Sequence, residues 1–348
     1  MKLIDSQPDI SGRRLYIWGA GNTAMLVLEG LARIPQMKIE AFVDNDPQKQ
    51  GKAILGIPVI PGDKLVVDPE TLVLICTGQP AVFKIVKAQL DSLGVESASI
   101  DGVVFRLFRN EVLKVYESLS DQESGRVYLE MLRNRIECSF PEEDIISRHP
   151  YFIHPVFRAS DPGETFIDCG AYVGDTIEKY IWENDGIFKQ IIAFEPDEKN
   201  MRAMQCRTER LVREWNIPDG SVSLLPYAVG DTDDTLHLER LEANNGLGSR
   251  MTSGGVGGDE CRTVRLGKYI TNEKTFIKAD VESYEYKLIL GAREEIARFR
   301  PKMAICIYHN PVDFFSLPLL LKELVPEYKL IIRHHLRTLS DTVLYAYI

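Results

Sequence analysis

Short apolar runs alternate with helical spacings along this chain, and the alternation occurs twice. In the first half, residues 14–18, 39–43 and 71–76 read as strands, and residues 25–32 and 81–93 as helices. Such alternation predicts a parallel sheet with helices on its faces, here a first domain over residues 1–105. Residues 106–149 lose the strand pattern and read as a helical connector. Val112, Val115, Tyr116 and Leu119 recur at helical spacing, and Ser120-Asp121-Gln122-Glu123 has the form of a capping box. The helix it opens carries Val127, Tyr128, Met131, Leu132 and Ile136 on one face.

Over residues 150–348 the α/β pattern returns. Strands are predicted at 165–167, 190–194, 222–225, 275–278 and 303–308, the first two ending at Asp168 and Glu195, the last two at Asp280 and His309. A long helix covers 197–215, and Tyr284, Leu288, Ala292 and Ile296 mark another. Residues 329–333 and 342–347 have no helix between them, which predicts an antiparallel pair closing the sheet. The expected fold is α/β, with two Rossmann-like, doubly wound sheets. The stretch 244–258 holds six glycines and reads either as a lid over a site or as a disordered insertion.

Composition narrows the partners. Lys and Arg number 41 against 51 Asp and Glu, a net charge of −10. That balance argues against nucleic acid and against an anionic membrane surface. No apolar run approaches the ~20 residues of a membrane helix, and the first residues lack a signal-peptide core, so a cytoplasmic protein is expected. Cys76, Cys138, Cys169, Cys206, Cys261 and Cys306 form no CxxC pair and read as reduced thiols rather than a zinc site.

The candidate chemistry lies in the second half. Asp168-Cys169-Gly170-Ala171-Tyr172-Val173-Gly174 occupies a strand-to-helix turn. Gly170 allows close backbone approach, and Gly174 opens a helix whose first N–H groups can bind a carboxylate. Glu195 follows Gly174 by 21 residues (195 − 174), the spacing that places an acid on ribose hydroxyls. An acid at the first strand end, Asp168, repels a pyrophosphate and suits a cationic ligand. S-adenosylmethionine (SAM), with an ammonium, a sulfonium and a ribose, meets both conditions. The competing readings are a helix N-cap for Asp168 and a turn residue for Glu195. Ala228 and Val229 would flank the adenine, and the cofactor-binding set comprises Asp168, Gly170, Ala171, Gly174, Asp175, Glu195, Pro196, Ala228, Val229 and Asp280. In the first half, Gly19-Ala20-Gly21-Asn22-Thr23-Ala24 is a GxGxxA fingerprint with Asp44 following at 20 residues. Gly19, Gly21 and Asp44 therefore form a second candidate nucleotide site.

FIDCGAYVGDT (166–176), IIAFEPD (191–197), YAVGD (227–231), IKADVESYE (277–285) and ICIYHNPVD (305–313), with the closing IIRHH and TVLYAY, resemble the FkbM family of SAM-dependent methyltransferases. The resemblance spans about residues 150–348 and implies a class I methyltransferase fold with an antiparallel final strand. It implies methyl transfer from SAM to a hydroxyl of a saccharide or related small molecule, free or nucleotide-linked. Ser283 stands where similar proteins usually have glycine, and LGKYI (266–270) lacks their Asp. YIWGAGNTA, FVDNDPQKQG and GIPVIP resemble the N-terminal Rossmann-like domain of bacterial sugar acetyltransferases of the PglD type, which binds a nucleotide-sugar.

Deprotonating a sugar hydroxyl calls for a general base. His309 is the first candidate and Asp280 its rival; a hydrogen-bonded strand-end histidine is the structural alternative for His309. A divalent metal held by Asp280 with Asn310 or His309 is a variant of this chemistry. His334 and His335 read as exposed or satisfied histidines. Two other functions compete: an NAD(P)-dependent or nucleotide-sugar-binding protein acting through the first domain, and a non-catalytic assembly protein.

Overall fold

In the computed structural model of the protein, residues 1–348 are described except 22, 25, 26, 28, 29, 31, 35, 36, 241–248 and 253–258. The helix expected over 25–32 and the glycine-rich stretch 244–258 fall largely outside the described residues. The chain divides into two compact units. The first comprises Met1–Ile146, Tyr308–Ser316 and Leu336–Ser340; the second, Ser147–Ile307, Leu317–His335 and Asp341–Ile348.

The first unit is built on β1 (Arg14–Trp18), β2 (Ile39–Val43), β3 (Ala53–Ile54), β4 (Ile57–Ile60), β5 (Thr71–Ile75) and β6 (Glu96–Ser99), in the order β3-β4-β2-β1-β5-β6. All neighbours are parallel except β3 and β4. A strand covered on both faces must be apolar throughout, and TLVLI of β5 is buried at every position. Trp18, Val43, Val73 and Leu90 meet in the core on one face.

The turn after β1 is closed by its own chain. Gly19 has φ +110°, and a Cβ there would lie 2.8 Å from the Cys76 carbonyl oxygen. The Asp44 carboxylate accepts the N–H groups of Ala20 (2.8 Å) and Asp46 (2.9 Å) and the Lys49 ammonium (3.0 Å). Burial alone would raise its pKa, but these donors win and hold it below the usual carboxylate range. Asp44 thus binds the glycine turn to the end of β2, using acceptor capacity that a ribose would need.

Helices Ile100–Leu107, Arg109–Ser118 and Gln122–Glu137 follow β6. The last is capped by Asp121, whose carboxylate accepts the Ser124 N–H at 2.6 Å, one residue later than the expected Ser120 cap. An ionised acceptor facing the positive helix end outcompetes a hydroxyl. Segment Tyr308–Ser316 is tied into this unit. Arg135 donates to Asp101 (2.6 Å) and to the Tyr308 carbonyl (2.8 Å), Tyr128 donates to the Phe314 carbonyl (3.1 Å), and Arg33 pairs with buried Asp313 (2.7 Å).

The second unit holds β7 (Thr165–Cys169), β8 (Gln190–Phe194), β9 (Val222–Leu225), β10 (Ala228–Gly230), β11 (Asp234–Arg240), β12 (Ser249–Thr252), β13 (Asp259–Arg265), β14 (Thr275–Ala279), β15 (Lys302–Cys306), β16 (Lys329–His334) and β17 (Thr342–Tyr347). Seven of them form a sheet in the order β16-β17-β15-β14-β7-β8-β9. β17 is antiparallel to both its neighbours and the other pairs are parallel. β7 and β14 are buried at every position.

A second sheet, β10-β13-β11-β12, occupies a stretch in which no strand was predicted. Its strands are short of apolar residues: β13 reads DECRTVR, with Cys261 and Thr263 inward and Arg262 and Arg265 exposed. The helix expected through Tyr284 and Ile296 is two helices, Glu285–Leu290 and Arg293–Phe299. Gly291 separates them, and a Cβ there would lie 2.0 Å from the Gly230 carbonyl oxygen. The end of β10 presses on the backbone at that point. Among the described residues, no helix is long and apolar enough to cross a membrane.

Candidate active site

The reversal of strand order between β7 and β14 opens a crevice at the carboxyl edge of the seven-stranded sheet. Asp168, one residue before the end of β7, pairs in register with Lys278 of β14. Its carboxylate is fully buried and lies 3.0 Å from the Lys278 ammonium, which also donates to the Gly170 carbonyl at 2.7 Å. Burial favours a neutral amine, but Asp168 and Asp280 outweigh it and hold Lys278 charged, its pKa raised. Asp168, expected from the sequence to face a cationic ligand, faces the Lys278 ammonium in the fold. Its charge is balanced inside the sheet, because Lys278 shares its face and its level. The signal was a lysine in the apolar run TFIKA, at the position matching the aspartate in TFIDC.

The turn that follows carries the closest backbone approach. Gly170 has φ +76°, and a Cβ there would lie 1.9 Å from the Asp280 carbonyl oxygen. The N–H groups of Gly170 (3.1 Å) and Ala171 (2.9 Å) both donate to the Phe194 carbonyl, fixing the turn to the end of β8. Gly174, at φ +77°, caps helix Asp175–Glu183, and Asp175 in its first turn pairs with Lys179 at 3.6 Å. The nearest atoms to a Cβ at Gly174 would be those of Met204, its Cγ at 3.0 Å and its Cα and Cβ at 3.6 Å. Gly174→Ala is therefore expected to cost ~1–2 kcal/mol, the left-handed penalty of an L-residue, measurable as a lower denaturation midpoint.

Glu195 follows β8 and is 6% exposed. It accepts the N–H groups of Tyr172 (2.9 Å) and Asp197 (2.9 Å) and the Asn200 amide (3.4 Å). Among the described residues no cationic side chain pairs with it. Burial, only partly offset by these hydrogen bonds, pushes its carboxyl up to about 7. Pro196 next to it is partly exposed, and Asp197 caps helix Glu198–Glu214 through Lys199 and Asn200. Tyr172, half-exposed with φ +48° and donating to Glu195, was not singled out from the sequence.

Ala228 and Val229 are buried in β10, and Ala228 packs with Cys261, Tyr284 and Val281. That cluster joins the stretch after β9 to the loop after β14. In this loop Glu282 (φ +51°) and Ser283 (φ +74°) both adopt the left-handed conformation. Ser283 is the position where similar proteins usually carry glycine, which reaches that conformation without a Cβ penalty.

Asp280 accepts the Tyr151 hydroxyl at 3.3 Å. The Tyr151 N–H donates to the Tyr345 hydroxyl (2.9 Å), which contacts His335 Nε2 (2.9 Å), while His335 Nδ1 meets the Ser147 carbonyl (2.8 Å). A carbonyl only accepts, so Nδ1 carries the proton and Nε2 accepts from Tyr345. Burial pulls the pKa of His335 down to about 4. His334 is buried on Thr342 at 2.9 Å, so both histidines are structurally satisfied. Of the two candidate bases, Asp280 lies in the second unit and His309, buried, in the first, with Asn310. The second candidate nucleotide site, Gly19, Gly21 and Asp44, also lies in the first unit.

A doubly wound sheet whose last strand inserts antiparallel between its neighbours, with a glycine turn after β7 and an acid after β8, defines a class I SAM-dependent methyltransferase. Residues 168–336 match the family described as methyltransferase FkbM domain. Across nearly its whole length the chain is similar to the crystal structure of methyltransferase FkbM from Methylobacillus flagellatus KT. The two are 20% identical with a TM-score of 0.56, over 99% of this chain and 92% of that one. A methyltransferase from Streptococcus mutans in complex with SAH is 16% identical over 55% of this chain and 92% of its own, with a TM-score of 0.32. A UDP-D-quinovosamine 4-dehydrogenase from Vibrio fischeri is 21% identical over 26% of this chain and 83% of its own, with a TM-score of 0.22. No curated protein matches the chain.

Proposed function

We propose that this SAM-dependent methyltransferase methylates a hydroxyl oxygen of a saccharide or related small molecule, with its cofactor seated at the carboxyl edge between β7 and β8. The observation that carries the seat is Glu195: a nearly buried carboxylate held by neutral N–H donors alone. A pair of vicinal ribose hydroxyls would supply the donors that relieve its burial. Gly170, with no room for a Cβ, and the first N–H groups of helix Asp175–Glu183 would take the methionine end. Asp168 contributes indirectly, through Lys278 and the Gly170 carbonyl.

Bound SAM supplies a methyl group already activated on a sulfonium. The protein then has to align an acceptor oxygen with it and accept a proton. Alignment alone can contribute ~7–11 kcal/mol in the best intramolecular cases. Asp280 is assigned the proton, because Tyr151 fixes one of its oxygens and the loop after β14 holds its backbone on Cys169 at 3.0 Å. Nicotinamide chemistry in the first unit gains nothing from Asp44, whose carboxylate is taken up by Ala20, Asp46 and Lys49.

Transfer of a labelled methyl group from SAM to a panel of saccharides tests the reading. Asp280→Asn should lower kcat by ~10²–10⁴-fold while calorimetric affinity for SAM stays within a factor of a few. An undiminished kcat removes Asp280 from this role, and absence of SAM binding by the folded wild-type chain removes the whole assignment.

A further inference from the structure

Tyr151 precedes every strand of the second unit in the chain, yet its side chain is buried among them, 5% exposed. We infer that Tyr151 is a positioning residue for methyl transfer: it holds the Asp280 carboxylate in the orientation that receives the acceptor proton. Its task presupposes the proton-accepting role proposed for Asp280.

One row of the seven-stranded sheet runs level through Asp168, Lys278, Ala304 and Tyr345. Residues level with one another in neighbouring strands share a face. Ala304, with nothing beyond Cβ, therefore separates the long side chains of Lys278 and Tyr345. Tyr151 engages both. Its N–H donates to the Tyr345 hydroxyl at 2.9 Å, and the Lys278 ammonium lies over its ring, 5.5 Å from the centroid. Two positions further on, at the carboxyl edge, Asp280 and Cys306 meet its tip. The Tyr151 hydroxyl donates to Asp280 Oδ2 at 3.3 Å and lies 3.6 Å from Cys306 Sγ. The side chain is thus held at its backbone, its ring face and its tip.

The segment that carries Tyr151 is fastened at both ends. The Ser147 N–H donates to the His334 carbonyl at 2.8 Å, and the Ser147 carbonyl accepts from His335, whose other nitrogen takes the Tyr345 hydroxyl. Between these ties, His149 (φ +66°) and Tyr151 (φ +72°) are both left-handed. Glycine reaches that conformation without a Cβ penalty. Non-glycine residues keep it where the surroundings over-determine them, and such residues cluster at functional sites. Here the residue that bears the strain is the one whose hydroxyl reaches Asp280. Asp280 itself lies just past β14 and is partly exposed. A carboxylate at that edge can turn about its own side-chain bonds, and a donor fixed in the core removes this freedom. Alignment of that kind is costly to lose, since a misplacement of ~1 Å can lower a rate ~10²-fold.

Tyr151→Phe keeps the ring and the backbone bond and removes only the hydroxyl. With labelled SAM and those saccharides of the panel that the wild type methylates, kcat should fall ~10–100-fold, while acceptor KM and calorimetric affinity for S-adenosylhomocysteine (SAH) stay within about twofold. In the Asp280→Asn background the same change should alter kcat by less than about twofold, because a residue that acts through Asp280 has nothing left to position. Should Tyr151→Phe fail to fold, Tyr345→Phe, which releases the Tyr151 N–H and leaves its hydroxyl in place, should lower kcat several-fold with SAH affinity retained. An unchanged kcat in Tyr151→Phe, an equal loss in both backgrounds, or a parallel fall in SAH affinity overturns the proposal. Failure of the reading beneath it looks different: Asp280→Asn then turns over at the wild-type rate, or the wild type methylates none of the saccharides, and Tyr151 loses its task with it.

Discussion

Glu195→Ala is expected to weaken binding of SAM and of SAH by ~10–100-fold, the loss of hydrogen bonds to a charged group worth ~1.5–3 kcal/mol. The same residue should make affinity depend on pH. Its folded-state pKa of about 7 lies above the ordinary 4.5 because burial opposes the charge. Below pH 7 the site is increasingly protonated and accepts ribose hydroxyls less well. SAH affinity, free of any sulfonium contribution, should therefore fall by up to ~tenfold per pH unit below 7, and the slope should vanish in Glu195→Ala. For the unliganded protein the sign is the reverse. A raised carboxyl pKa makes this group's contribution to stability greatest below pH 4.5, and ionisation then removes ~3 kcal/mol as pH rises through 7. Ligand should consequently stabilise the enzyme most on the alkaline side. A variant that binds SAH as the wild type does, with the same pH profile, would show that the ribose lies elsewhere.

Lys278→Met should produce the largest loss of stability, ~3–5 kcal/mol, because it strands the Asp168 carboxylate in the interior. It also removes the donor on the Gly170 carbonyl, so the glycine turn after β7 loses this tie and keeps its bonds to the Phe194 carbonyl. Lys278→Met combined with Asp168→Asn should recover most of the stability, since no uncompensated charge remains. Urea denaturation of the single and double variants measures the difference. A single variant as stable as the wild type would mean that Asp168 is not ionised in the fold.

The central strands of the two mostly parallel sheets are legible as short apolar runs, whereas the short β3 and β4 and the polar β6 (ESAS) carry no such run. β1, β2, β8 and β9 have the predicted limits, and β17 closes its sheet antiparallel as expected. β10 to β13 carry little strand signal: β10 is only three residues long, and exposed charged residues such as Asp234, Arg262 and Arg265 interrupt the apolar pattern of β11 and β13. Within the site, glycine turns and strand-end acids were visible, but their partners were not. The ion pair of Asp168 with Lys278 joins residues 110 positions apart in sequence (278 − 168), and only the register of β7 against β14 reveals it. Tyr151 illustrates the same gap: nothing in RHPYFIHP announces a contact with Asp280. Charge on a strand end was read as a property of one residue, whereas the fold makes it a property of a pair.

The position of β17 has a consequence for biosynthesis. β16 touches the rest of its sheet only through β17, which comes later in the sequence and slots between β16 and β15. A nascent chain therefore leaves the flank of β15 open, and β16 unplaced, until residues 342–347 clear the ribosome. Non-local pairing of this kind is slow and leaves strand edges exposed. Chaperone demand and aggregation during expression should be concentrated in that interval, after strands β7 to β15 have been translated.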